Sequence, residues 1–211
     1  FSHQVETRFD DLLETYDRLI EGGRGLSDYE ANVSVRVLSD ALIISSVDLV
    51  SVVKATRHAH MLTLFEDCLI RGGIGKGKHV EANVAGEYHV VSHGLVKAVR
   101  IEKSIKHPCV ALCPDIEVPM DWWHPEIGNY LQPFFHFENM TFVNPFNPMW
   151  GTSAATRVSI LMEEYPEHSD KYKWFLRLYE QVRSGALLLP PEAITYYELD
   201  ANPASQNPED A

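Results

Sequence analysis

The stretch VSVRVLSDALIISS, residues 33–46, constrains the fold of this chain more than any other stretch. It contains two short β-rich runs, residues 33–38 and 41–45, separated only by Ser39 and Asp40. Two strands this close in sequence are expected to form a hairpin with these two residues in the turn. A rigid hairpin can present one carboxylate as a metal ligand, although Ser and Asp are also ordinary turn residues.

Length and composition predict one domain with a full hydrophobic core and room for a small appendage. The chain has 211 residues, of which 45% are hydrophobic, and this is enough to bury a sizeable core. Its net charge of −12 argues against sequence-independent binding to nucleic acid, because such binding needs excess basic charge to displace counterions from phosphates. Basic residues could still form a local pocket, but this composition does not support an extended basic surface.

The cysteines and histidines indicate neither a disulfide framework nor a zinc site. Cys68, Cys109 and Cys113 form no CxxC pair, and no signal peptide or membrane-length apolar run is present. We therefore expect a cytoplasmic protein with no membrane partner. His58 and His60 stand two apart, which places them on different sides of a helix, and no HExxH or Cys/His quartet occurs.

Hydrophobic periodicity predicts hairpins interrupted by helices, a pattern that favours an α+β fold over a doubly wound parallel sheet. In the first part of the chain, helices are predicted at residues 3–20, 48–66 and 93–105, and strands, besides the hairpin, at 69–77, 88–91 and 109–113. Further along we expect one strand at 134–142, helices at 153–165 and 169–184, and a flexible tail at 190–211.

Three motifs in this order resemble the class III nucleotide cyclase catalytic domain, and specifically the divergent bacterial branch of Pycsar-type pyrimidine cyclases used in phage defence. They are the hairpin with Ser39-Asp40, the segment RGGIGKG at residues 71–77, and SHGLVKAVRIEKSIKHPCVAL at residues 92–112. The resemblance covers roughly residues 1–113. Residues 114–189 would then be a C-terminal helical extension packed on this domain.

The resemblance implies the ferredoxin-like palm sandwich of class III cyclases, working as a head-to-tail homodimer. It also implies that the ribose 3′-hydroxyl attacks the α-phosphorus and that pyrophosphate leaves. Two divalent ions, Mn²⁺ or Mg²⁺, would lower the pKa of this hydroxyl and stabilise the charge on the leaving group. A guanidinium near the α-phosphate would stabilise the pentavalent transition state.

Matched by motif, Asp40 corresponds to the second metal-binding aspartate of this family. Arg100 aligns with the transition-state arginine, but Val96 replaces the asparagine that normally precedes it by four positions. An ion pair on the helix surface would explain Arg100 equally well. The remaining candidate nucleotide-binding residues are Ser39, Arg71, Gly72 and Gly73. Close approach of a triphosphate or of a partner chain would explain the glycines, and so would a turn or bulge.

The first metal-binding aspartate of the family stands in a motif such as DILGF, and Phe1 resembles the phenylalanine of this motif. Asp10 and Asp11 fall within a predicted helix and are poor substitutes. We therefore expect the first strand and its aspartate upstream of Phe1, because a fold without this strand would leave buried backbone groups unpaired. The alternative is a cyclase-like dimer that binds a nucleotide as a sensor.

The choice of base depends on Arg36, four residues before Asp40. An arginine offers only hydrogen-bond donors, which suits O4 of uracil or O6 of guanine and conflicts with the N4 amino group of cytosine. A solvent-facing arginine on the strand is the alternative. The sequence thus predicts a uridylate cyclase that converts UTP to 3′,5′-cyclic UMP and pyrophosphate, a second messenger for a separate effector in antiphage defence. There are two other hypotheses. The protein could be a cytidylate cyclase, or an interaction domain that binds a partner through Trp122 and Trp123.

Overall fold

The computed structural model describes residues 17, 18, 20–22, 25, 32–38, 41–123, 132–184, 189 and 190. These residues form strands and α-helices together, so the predicted α+β class is confirmed. The strands are β1 (Val33–Leu38), β2 (Ala41–Ser46), β3 (Gly72–Ile74), β4 (His79–Val84), β5 (Glu87–Ser92), β6 (Val110–Leu112), β7 (Phe134–Phe137) and β8 (Met140–Val143). The α-helices are α1 (Leu49–Phe65), α2 (His93–Ser104), α3 (Gly151–Glu164) and α4 (Ser169–Ser184).

The described strands form three separate sheets. β1 and β2 make an antiparallel hairpin, and β4 and β5 make another. The third sheet has four strands in the order β3-β6-β8-β7, with β3 parallel to β6 and the other pairs antiparallel. Because β6 precedes residue 113 and β8 follows it, the expected division between residues 1–113 and 114–189 runs through one continuous sheet.

The single strand predicted at residues 134–142 is wrong, since this segment is the hairpin of β7 and β8. Glu138 and Asn139 both have positive φ, 48° and 60°, and form a two-residue turn between paired Phe137 and Met140. Two positive φ values match the twist of a tight hairpin. Neither turn residue is glycine, so the usual sequence signal for such a turn is missing.

Helix α1 lies between the first hairpin and the four-stranded sheet. Its N-cap is Asp48, whose Oδ1 accepts a hydrogen bond of 2.8 Å from Ser51 N. Ala55 is fully buried in a cluster with Val33 of β1. Val53 is buried in a second cluster with Ile74 of β3. One helix therefore ties both sheets together by hydrophobic burial.

The C-terminal helices cover the opposite face of the four-stranded sheet. Ala111 of β6 packs with residues of α3 and α4, whereas its neighbours Val110 and Leu112 belong to the cluster on the side of α1. This alternation is expected of a strand buried on both faces. The helix predicted at residues 169–184 coincides with α4. No helix among the described residues is long and apolar enough to span a membrane.

Both ends of the chain fall mainly outside the described residues. Of the helix predicted at residues 3–20, residues 17, 18 and 20 are described, and all three are helical. Of the predicted tail at residues 190–211, only Pro190 is described, and it is buried.

Strand β3 and helix α2 approach each other backbone to backbone, and this explains the glycines of RGGIGKG. A Cβ at Gly73 would lie 2.3 Å from Ala98 O, and a Cβ at Gly75 would lie 2.2 Å from Gly94 O. Both distances are far below van der Waals contact. At Gly72 a Cβ would instead meet a methyl group of Val110 at 3.4 Å. The sequence left a triphosphate, a partner chain, or a turn or bulge as explanations of the glycines, and the structure shows that α2 of the same chain makes the close approach at Gly73 and Gly75.

Replacing Gly75 by alanine should therefore be strongly destabilising. We expect Gly75→Ala to lower the free energy of unfolding by about 3 kcal/mol, because the new methyl group forces α2 away from β3. Gly72→Ala is the matched control, expected to change the stability by less than about 1 kcal/mol. Urea denaturation followed by circular dichroism measures both, and equal stabilities of the two variants would contradict the close approach.

Candidate nucleotide site

The hairpin of β1 and β2 has the register that the sequence predicts. Leu38 pairs with Ala41, and the pairing continues to Val33 and Ser46. Ser39 and Asp40, the predicted nucleotide and metal ligands in the turn, lie outside the described residues. The structure therefore positions the two strands that flank Asp40, and the role of Asp40 as a metal ligand stays a prediction.

Arg36, the predicted base-reading residue, is paired with an acidic residue of the second hairpin. Its Nη2 lies 3.7 Å from Oε2 of Glu81 on β4, and its Nη1 donates to Val35 O at 3.1 Å. Ser45 of β2 donates to Glu81 Oε1 at 3.3 Å, and His79 Nε2 lies 2.8 Å from the same oxygen. We call these four residues the Glu81 cluster: Arg36, Ser45, His79 and Glu81. It joins the two hairpins through polar contacts.

The Glu81 cluster was missed by sequence reasoning, although one local signal was present. His79 and Glu81 alternate with Val80 along a strand, which places both polar side chains on the same face of β4. That this face meets β1 and β2 depends on tertiary structure. No local pattern in the sequence predicts it.

Arg71 links the start of β3 to α2. Its Nε donates to Oε1 of Glu102 at 2.6 Å, and both side chains are partly exposed. Gly72 and Gly73 follow directly, and the space beside Gly73 is filled by α2. These residues thus have structural roles in the contact between β3 and α2. Nucleotide contact by Arg71, Gly72 and Gly73 stays a prediction.

Arg100, the predicted catalytic residue, lies on the exposed side of α2. An ion pair on the helix surface was the other explanation for Arg100, and among the described residues Glu102, an acidic residue of the same helix, pairs with Arg71. Within the described ranges, Arg100 is joined neither to this pair nor to the Glu81 cluster. The structure therefore brings Arg36 and Arg71 into two different pairs, with Arg100 facing outward.

The described residues contain no cluster of three or more His, Cys, Asp or Glu side chains that could hold a metal ion. Mg²⁺ and Mn²⁺ require several oxygen ligands around one ion. Asp48, which follows β2, serves as the N-cap of α1, and the hydrogen bond from Ser51 lowers the pKa of its carboxyl group. Asp40 alone remains the predicted metal ligand.

Helix α1 also carries two basic side chains that are withdrawn from solvent, Arg57 in part and His60 almost completely. Arg57 donates a hydrogen bond to the backbone oxygen of Phe146, and burial lowers the pKa of this guanidinium to about 10. His60 is 3% exposed, and its Nε2 has no hydrogen-bond partner among the described residues. Burial, assisted by the charge of Arg57, lowers the pKa of His60 to about 3. His60 is therefore neutral at physiological pH.

This buried histidine makes the stability depend on pH. Its pKa is lower in the folded chain, about 3, than the ordinary value of 6.5, so the unfolded chain binds more protons between these values and stability falls as pH falls. From about pH 6.5 to about pH 5, we expect the wild type to lose about 2 kcal/mol more stability than His60→Leu. His58→Leu, at a half-buried position, is the control and should follow the wild type. Identical pH profiles of wild type and His60→Leu would contradict this account of His60.

Comparison with known proteins identifies no relative of this chain. No family model, curated protein or solved structure matches it. The similarity to class III cyclases therefore depends on the three sequence motifs. In the described residues these motifs lie on the hairpin of β1 and β2, on β3, and on α2 with β6.

Proposed function

We propose that this protein is a pyrimidine nucleotide cyclase that converts UTP to 3′,5′-cyclic UMP and pyrophosphate. The observation that supports this most is the arrangement of the three motifs. The hairpin that flanks Asp40 and the strand of RGGIGKG both pack on α1. The helix of the third motif packs directly on that strand. Motifs that are far apart in the sequence thus belong to neighbouring elements.

We further propose that these elements form the palm sandwich of class III cyclases. The first hairpin and the sheet that contains β3 are separate among the described residues, yet both pack on α1. This shared covering helix supports the proposal that both belong to one palm.

The residues of this chain have distinct roles in the proposed reaction. Arg36 donates to O4 of uracil, and Asp40 is the residue that would bind a divalent ion. When bound, Mn²⁺ or Mg²⁺ supplies Lewis acidity to the 3′-hydroxyl and to the leaving pyrophosphate. Arg100 stabilises charge at the α-phosphate. Because Arg100 faces outward on α2, we propose that it completes the site of a second copy in a head-to-tail homodimer.

The product would be a second messenger that activates a separate cyclic-nucleotide effector during phage infection. A cytidylate cyclase and a nucleotide sensor without activity are the alternatives, and the substrate assay distinguishes them. CTP turnover in place of UTP turnover identifies the first alternative. Nucleotide binding without any cyclic product identifies the second.

The test is incubation of the full-length protein with each of the four nucleoside triphosphates and Mn²⁺, followed by mass spectrometry of the cyclic products. We expect cyclic UMP from UTP, and at least about a 100-fold loss of activity in Asp40→Ala because a metal ligand is removed. Asp48→Ala is the matched control. It removes the N-cap of α1 and should cost about 1 kcal/mol of stability while the activity persists. Full activity in Asp40→Ala, or no product from any triphosphate, would contradict the proposal.

A further inference from the structure

The Glu81 cluster lies between the two hairpins, on the side of β1 and β2 that faces away from α1. Val33 and Val35 are buried against α1, so Arg36, the next residue along β1, lies on the opposite face. Ser45 pairs with Ser34 across the hairpin and therefore shares the face of Arg36. Glu81 reaches this face from β4.

The second hairpin turns Glu81 towards the first hairpin and leaves two valines on its other face exposed to solvent. Val80 on β4 is 60% exposed and its partner Val91 on β5 is 71% exposed, whereas the side chain of Glu81 is only 20% exposed. Hydrophobic burial alone would favour the reverse orientation. Partial burial of a carboxylate costs free energy unless its contacts offset the cost. Ser45, His79 and Arg36 supply these contacts, so Glu81 is held in its inward position by polar interactions.

The carboxylate of Glu81 has a fixed orientation towards Arg36. Ser45 and His79 both engage Oε1, so Oε2 is the oxygen that faces the guanidinium. The distance of 3.7 Å between Arg36 Nη2 and Glu81 Oε2 is that of an ion pair and is longer than a hydrogen bond. The guanidinium of Arg36, which only donates hydrogen bonds, thus lies beside the carboxylate of Glu81, which only accepts them.

We infer that Glu81 is a specificity-determining residue that reads the edge of the base together with Arg36, an inference that rests on the proposed function. Uracil presents an acceptor, O4, next to a donor, N3–H, and this order matches Arg36 next to Glu81. Cytosine presents the reverse order, an N4 amino donor next to the N3 acceptor. Guanine shares the order of uracil through O6 and N1–H. The pair therefore selects against cytosine, and GTP becomes the second substrate to measure.

The test compares Glu81→Gln with the matched control Glu87→Gln. Glu87 belongs to the same hairpin, on its exposed face, with His89 Nε2 at 3.9 Å. A glutamine amide can both donate and accept, so Glu81→Gln accommodates either edge. We expect Glu81→Gln to decrease the ratio of kcat/KM for UTP to kcat/KM for CTP by a factor of about 5 to 150. Glu87→Gln should leave this ratio unchanged.

The outcomes separate this inference from the proposed function. If the wild type forms no cyclic product from any triphosphate, the proposed function fails and the role of Glu81 fails with it. If the wild type cyclises UTP and Glu81→Gln lowers UTP and CTP turnover by the same factor, Glu81 is only structural and this inference alone is overturned. Should Glu81→Gln not fold, Arg36→Gln provides the second measurement. If the ratio of UTP to CTP turnover is unchanged in Arg36→Gln, the inference that Arg36 and Glu81 recognise the base is overturned.

Discussion

The burial of helix α1 on several sides is the interaction on which the rest of the structure depends. Ala55 packs against the first hairpin, Val53 packs against β3 and β6, and Leu64 belongs to the aromatic core beneath α3 and α4. The buried residues of α1 extend from Ser51 to Leu64, so nearly every turn of the helix contributes to these contacts. Its position therefore fixes the strands flanking Asp40 relative to the strand of RGGIGKG. A functional site needs such rigid support from helices and strands.

The contact between β3 and α2 shows how a sequence motif can have a structural and a functional explanation together. The glycines at positions 73 and 75 are required because the backbone of α2 occupies the space of a side chain. Arg71 strengthens the same contact through Glu102. The second and third motifs are thus one packing unit, which would explain why they occur together. In the proposed function this unit also presents Arg100 to a second copy.

The sequence predicted the elements with strong local patterns. The periodicity of α4 and the tight turn of the first hairpin gave bounds close to those observed, because amphipathic faces and short connections are encoded locally. The turn at Glu138 and Asn139 was missed because it lacks glycine. The pairing of Arg36 with Glu81 was missed for another reason: the two residues belong to different hairpins, and only tertiary packing brings them together. Of the predicted site, Ser39 and Asp40 lie outside the described residues, so the sequence remains their only support.

The central claim is that a uridine nucleotide binds between the first hairpin and a second copy of the chain. A crystal structure of the full-length protein with 3′-deoxy-UTP, which lacks the attacking hydroxyl, and Mn²⁺ would test it most directly. We expect uracil beside Arg36 and Glu81, Mn²⁺ on Asp40, and Arg100 of the second copy near the α-phosphate. Nucleotide bound away from the first hairpin, or Asp40 without metal in a nucleotide-bound site, would contradict the claim.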